Sequence, residues 1–183
     1  MKKTLTIILV LTMVMGGMIF ATDLGTATLT LGYKRSTTAD NTVNWYGSTD
    51  SATGMDAGSF NSGKVTAYLK ATNSYSVTPV SLSVKLPSLT NTTDATTIGY
   101  TANLSLPSGV TNNVITSLES DTATIGSGTT GTSGVTFASI DASATLQQIG
   151  WVQFEFTADA TDLTNATANT SYTADVVVTM AST

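Results

Sequence analysis

Apolar and hydroxyl-bearing residues alternate with a period of two in segment after segment of this chain, and that regularity commits it to β structure. Successive side chains of a strand point to opposite faces, so a strict apolar/polar alternation gives one greasy face and one wet face. In residues 25–33, Ala27, Leu29, Leu31 and Tyr33 fall on one face and Thr26, Thr28 and Thr30 on the other. Residues 64–70 turn Val65, Ala67 and Leu69 inward; residues 80–86 do the same with Val80, Leu82, Val84 and Leu86. Residues 98–106 follow with Ile98, Tyr100, Ala102, Leu104 and Leu106. The outward partners are mostly threonine and serine, and threonine is β-branched, which disfavours it in helices and suits it to strands. Shorter or less regular segments of the same kind are 43–46, 110–118 and 135–140, and two long ones close the chain at 146–156 and 172–180.

Between these segments lie stretches rich in Gly, Ser, Asn, Asp and Thr, at 47–63, 87–97, 126–134 and 157–171. Such residues favour turns because they tolerate unusual backbone angles or hydrogen-bond their own backbone. About nine strands, without an amphipathic helix, predict an all-β, antiparallel β-sandwich with immunoglobulin-like connections. A jelly roll or small barrel is the alternative. No repeat is present, and residues 22–183 form a single domain of ample size for one core.

The N-terminus predicts export. Lys2 and Lys3 precede an apolar run over residues 5–20 that ends at the small residue Ala21, the pattern of a signal peptide spanning residues 1–21. A retained anchor is the alternative, since the run approaches the roughly 20 residues that span a bilayer. After cleavage no segment is long and apolar enough to cross a membrane as a helix, which places the mature chain outside the cell or on its surface. The whole chain carries a net charge of −5, and loss of Lys2 and Lys3 makes it more negative. Nucleic acid is therefore not an expected partner, because backbone binding needs clustered Lys and Arg.

The chain has neither histidine nor cysteine. A Ser-His-Asp or Cys-His nucleophile is thereby excluded, and the lysines that a Ser-Lys pair would need lie on outward strand positions. Two glutamates, Glu119 and Glu155, and ten aspartates show no spacing that singles out a catalytic pair. No enzyme activity, catalytic residue or cofactor is predicted. Oxygen-ligated calcium would be the remaining metal, yet Asp50 with Asp56 and Asp159 with Asp162 supply too few carboxylates for a site, so no metal is expected. Aromatic residues are more pointed. Trp151 falls on the face opposite Val152, Phe154 and Phe156, beside Gln153 and Glu155. A tryptophan there can stack on a sugar or anchor a protein partner, unless a loop covers it. Trp45 and Tyr46 are adjacent in a strand, so one is core and the other faces out.

The closing segment Ser171-Tyr172-Thr173-Ala174-Asp175-Val176-Val177-Val178-Thr179-Met180, together with an alternating strand just behind the export signal, resembles bacterial surface β-sandwiches of the fimbrial-subunit kind. In that family an N-terminal segment of one subunit inserts as a strand into the next. The resemblance implies that Ala27, Leu29, Leu31 and Tyr33 are the apolar residues of such a donor strand, although the disulfide frequent in those subunits is missing. Two functions are expected on these grounds. The first is an exported, non-enzymatic structural protein, a fimbrial-type or surface-layer subunit that associates with itself or with other envelope proteins through β-strands. The alternative is a carbohydrate-binding or adhesive module that meets glycans through Trp151, Trp45 or Tyr46.

Overall fold

The computed structural model describes residues 27–33, 42–55, 57–60, 63–74, 78–93, 95–119, 123–128, 134–167 and 171–183; the expected signal peptide lies outside them. In chain order the strands are β1 (Ala27–Tyr33), β2 (Thr42–Tyr46), β3 (Ala57–Ser59), β4 (Lys64–Ser74), β5 (Val80–Lys85), β6 (Leu89–Thr90), β7 (Thr97–Ile98) and β8 (Tyr100–Ser105). Next come β9 (Thr124–Gly126), β10 (Val135–Ile140), β11 (Gln147–Ala158), a short helix α1 (Ala160–Asn165) and β12 (Tyr172–Ser182). The long alternating segments of the sequence all became strands. Alternation survives in the burial itself: β5 reads buried at Val80, Leu82 and Val84, and β12 at Tyr172, Ala174, Val176, Val178 and Met180.

The strands form an all-β sandwich of two sheets. One has the order β10-β5-β12-β1-β3, with the short β6 and β7 attached to β12; the other has the order β2-β4-β11-β8-β9. Almost every ladder is antiparallel. The exception is β1, which runs parallel to β12 from Ala27↔Tyr172 to Tyr33↔Val178 and antiparallel to β3 on its other side. The connections differ from the immunoglobulin-like ones expected, where the last two strands sit side by side in one sheet. Here β11 and β12 lie in different sheets, and the chain crosses from one sheet to the other at most of its connections.

The inward faces supply one core. Trp45, Leu69, Val152, Phe154 and Phe156 face Leu82, Val84, Phe137, Ile140, Tyr172, Val176 and Val178, all essentially out of water. A leucine or phenylalanine buried in this way contributes about 1.5–3 kcal/mol relative to leaving it exposed. Phe137 and Ala138 are neighbours in sequence yet both buried, because a register shift between Thr136 and Ala138 inserts a bulge into β10. Just before this strand, Gly134 holds φ at +81°, and a side chain there would also approach the Val84 carbonyl oxygen within 2.8 Å. Only glycine meets both demands without strain.

Residues 110–118, expected as a weak strand, are not one. Asn112 adopts a left-handed φ of 63°, which ends any extended run, and the segment becomes a loop that clasps the open side of the sandwich. Its Val114 N–H donates to the Ile149 carbonyl of β11 at 3.1 Å, and its Glu119 N–H to the Phe137 carbonyl of β10 at 2.9 Å. Between these two anchors Ile115 enters the core and is 2% exposed. It fills the space above Gly150, where an added Cβ would lie 2.5 Å from Ile115 Cδ1. The glycine in the middle of β11 is thus explained by the loop side chain that occupies its place.

Candidate functional site

The outer face of the β2-β4-β11-β8-β9 sheet gathers the aromatic residues singled out by the sequence. Opposed residues of an antiparallel ladder share a face, so the registers lay out the rows. One row runs Tyr46, Tyr68, Gln153, Ser105 across β2, β4, β11 and β8; the next runs Asn44, Lys70, Trp151. On the other side of the Tyr46 row, Thr66, Glu155 and Asn103 continue the face, with Lys64 bonded to Glu155 at 2.9 Å. That ion pair is well exposed on both sides, so it contributes less than about 1 kcal/mol.

Trp151 does fall on this outer face, but it is not open to solvent: it is 8% exposed. Three neighbours cover it. The Tyr46 ring leans across β4 to a centroid distance of 5.3 Å, and the Lys70 ammonium lies 5.5 Å from the ring centroid. Cation–π contacts of this kind are worth about 0.5–1 kcal/mol at partly exposed positions. The third neighbour is the loop. β8 stops pairing with β11 at Gln153, and beyond that point Asn113 takes over as a surrogate strand. Its Oδ1 accepts the Trp151 N–H at 2.8 Å while its Nδ2 donates to the Trp151 carbonyl at 2.9 Å. One side chain thus meets both backbone groups that an eighth residue of β8 would have met. Of the two readings the sequence allows, an open tryptophan or one covered by a loop, the structure has the covered one.

Trp45 and Tyr46 divide between the faces as expected: Trp45 is the inward member, 2% exposed and so removed from the candidate contacts, with Phe154 edge-on at 5.0 Å and Phe156 at 6.5 Å. Tyr46 is the outward member and is half-buried. Tyr68 and Lys70 join it on the outer face as further candidates; both stood at outward positions of an alternating strand in the sequence, and what singles them out is the register that brings β2 and β11 alongside them. Of the expected donor strand, Ala27, Leu29, Leu31 and Tyr33 occupy the register positions beside Tyr172, Ala174, Val176 and Val178 of β12.

The acidic residues do other things. Asp159 caps α1, its Oδ1 accepting the N–H groups of Thr161 at 2.8 Å and Asp162 at 3.0 Å. Asp162 accepts the Gly99 N–H at 2.8 Å, tying the helix to the β7–β8 break. These residues border a cavity of about 370 Å³ with Thr101, Ser127 and Thr157. Both carboxylates are engaged by backbone, and among the described residues no three acidic groups come together as a metal site. Among the same residues no helix is long and apolar enough to cross a membrane. Burial against Phe60 and Phe156 pushes the Tyr100 hydroxyl well above its ordinary pKa, and no described residue offers it a hydrogen-bond partner. Compared with known proteins, the chain matches no family model and no curated protein sequence.

Proposed function

We propose that this protein is an exported, non-enzymatic structural component of the cell surface, a fimbrial-type or surface-layer subunit that associates through β-strands. The observation that carries this reading is the position of β1. It is the first described strand, yet it lies inside a sheet, with β12 along one side and β3 along the other. Its seven residues pair in unbroken register with β12. Strand pairing of this kind draws its affinity from main-chain hydrogen bonds, so a β1 supplied by a second copy would meet the same ladders as the chain's own. The Thr- and Ser-rich wet faces favour such association, because they bring little like-charge repulsion to a contact between copies.

Electron microscopy and light scattering of residues 22–183 test this directly. Filaments, sheets or defined oligomers are the expected result, and deletion of residues 22–33 should abolish them. A strictly monomeric protein at high concentration, or a truncated protein that assembles as well as the full one, would sink the proposal.

A further inference from the structure

The outer face of the second sheet offers a surface that strand association does not use. Tyr46 and Tyr68 stand opposite each other on β2 and β4, with Gln153 next in the row and Asn44 and Lys70 in the row beside it. All five are half-buried, held in place but reachable, while the covered Trp151 backs the Tyr46 ring. The chemistry on offer is two phenol rings, two amides and one ammonium. A tyrosine ring presents an apolar face to the C–H side of a pyranose while its hydroxyl stays in water. An amide both donates and accepts, which suits vicinal sugar hydroxyls. Directly opposed residues in a ladder are about 5 Å apart at Cβ, the scale of one sugar ring.

Charge selects the class of saccharide. Lys64 already has Glu155. Lys70 is flanked in its row by Asn44 and Trp151, and along β4 by Tyr68 and Thr72, so none of these nearest positions holds a carboxylate. A chain with a net charge of −5 therefore displays here a cation whose neighbouring ladder positions carry no carboxylate, set among aromatic rings. We infer that this face binds an acidic polysaccharide, with a uronate carboxylate on Lys70 and sugar rings against Tyr46 and Tyr68. The inference stands whether or not the protein assembles through β1.

Native affinity electrophoresis of residues 22–183 through gels containing polygalacturonate tests it, with fully methyl-esterified polygalacturonate and poly-glutamate as comparison polymers. Polygalacturonate should retard the protein, and the esterified polymer should do so less. Tyr68→Ala and Lys70→Gln should each weaken binding about tenfold, the equivalent of one charge-assisted or stacking contact. Lys70→Arg should retain binding, which separates loss of charge from loss of fold. The inference is overturned if polygalacturonate causes no retardation. It is equally overturned if poly-glutamate, the mimic of an acidic peptide, retards the protein as strongly, or if folded Tyr68→Ala and Lys70→Gln proteins bind undiminished.

Discussion

The inner and outer faces of the β2-β4-β11-β8-β9 sheet each carry an aromatic cluster, and the same two strands, β2 and β11, supply rings to both. Trp45 goes in and Tyr46 out; Phe154 goes in and Trp151 out. Inside, Trp45 and Phe137 meet the phenylalanines of β11 edge-to-face or tilted, with the Phe137–Phe154 pair at 5.4 Å and 86°, while Phe154 and Phe156 stack at 5.8 Å. Outside, Trp151 is nearly as buried, but its cover consists of one tyrosine ring, one lysine and one loop. The inner cluster is sealed by the packing of two sheets, the outer one by a handful of replaceable contacts. Equal burial can therefore rest on very different amounts of structure.

Truncating Phe154 to Ala should break the inner cluster and have the largest effect. The ring touches Trp45, Phe137 and Phe156, so its removal leaves a cavity that the sheets cannot close, for a loss of about 3–5 kcal/mol. Denaturant unfolding measures it. Gly150→Ala comes next. The new methyl would sit 2.5 Å from Ile115 Cδ1 and 3.2 Å from Ile140 Cδ1, and overpacking of this kind costs about 1–3 kcal/mol. Combining it with Ile115→Ala should recover part of that loss, so the two substitutions should be non-additive in a double-mutant cycle.

Asn113→Ala sharpens the comparison from the other side. It removes both hydrogen bonds to the Trp151 backbone and leaves those groups to water, for a loss of about 1–3 kcal/mol. Trp151 should become accessible to acrylamide while Trp45 stays protected, so tryptophan fluorescence should resolve into one quenched and one unquenched population. Uniform protection of both tryptophans would mean that the loop is not the cover.

The contrast also shows how far the sequence could be read. Parity within a strand is written in the chain: Val80, Leu82 and Val84 inward, Trp45 and Tyr46 on opposite faces, Phe154 and Phe156 together. Such parity follows from the two-residue repeat of the backbone and needs no knowledge of neighbours. Pairing is not written there, because Thr-rich strands offer nearly interchangeable partners. Neither the parallel β1–β12 ladder nor the crossings between sheets could therefore be read from residue patterns. The loop at 107–119 was the least legible part. Val110, Val114 and Leu118 suggested a strand, whereas its shape depends on a left-handed Asn112 and on an Asn113 amide that competes with ordinary pairing. At the candidate site the same division holds: parity places Trp151 on the outer face, and only the loop covers it there.

The smallest effect at neutral pH is expected at Tyr100, which brings to the inner cluster a polar group that the cluster does not use. Its ring packs at 6.0 Å from both Phe60 and Phe156, and its hydroxyl is buried without a hydrogen bond from any described residue. Tyr100→Phe removes that hydroxyl and keeps the ring, so stability near pH 7 should be unchanged or rise by about 1 kcal/mol. The pH dependence carries the sign. Burial raises the folded-state pKa above 10, the ordinary value, so above about pH 10 the unfolded chain loses this proton while the folded chain keeps it. The stability associated with the neutral phenol is present below that pH and is lost as pH rises toward the folded-state value. Chemical denaturation between pH 8 and pH 11 should show a steeper alkaline decline for the native protein than for Tyr100→Phe. Coincident curves would mean that the phenol finds a partner or water when folded, and that the inner cluster is less dry than the outer one is sealed.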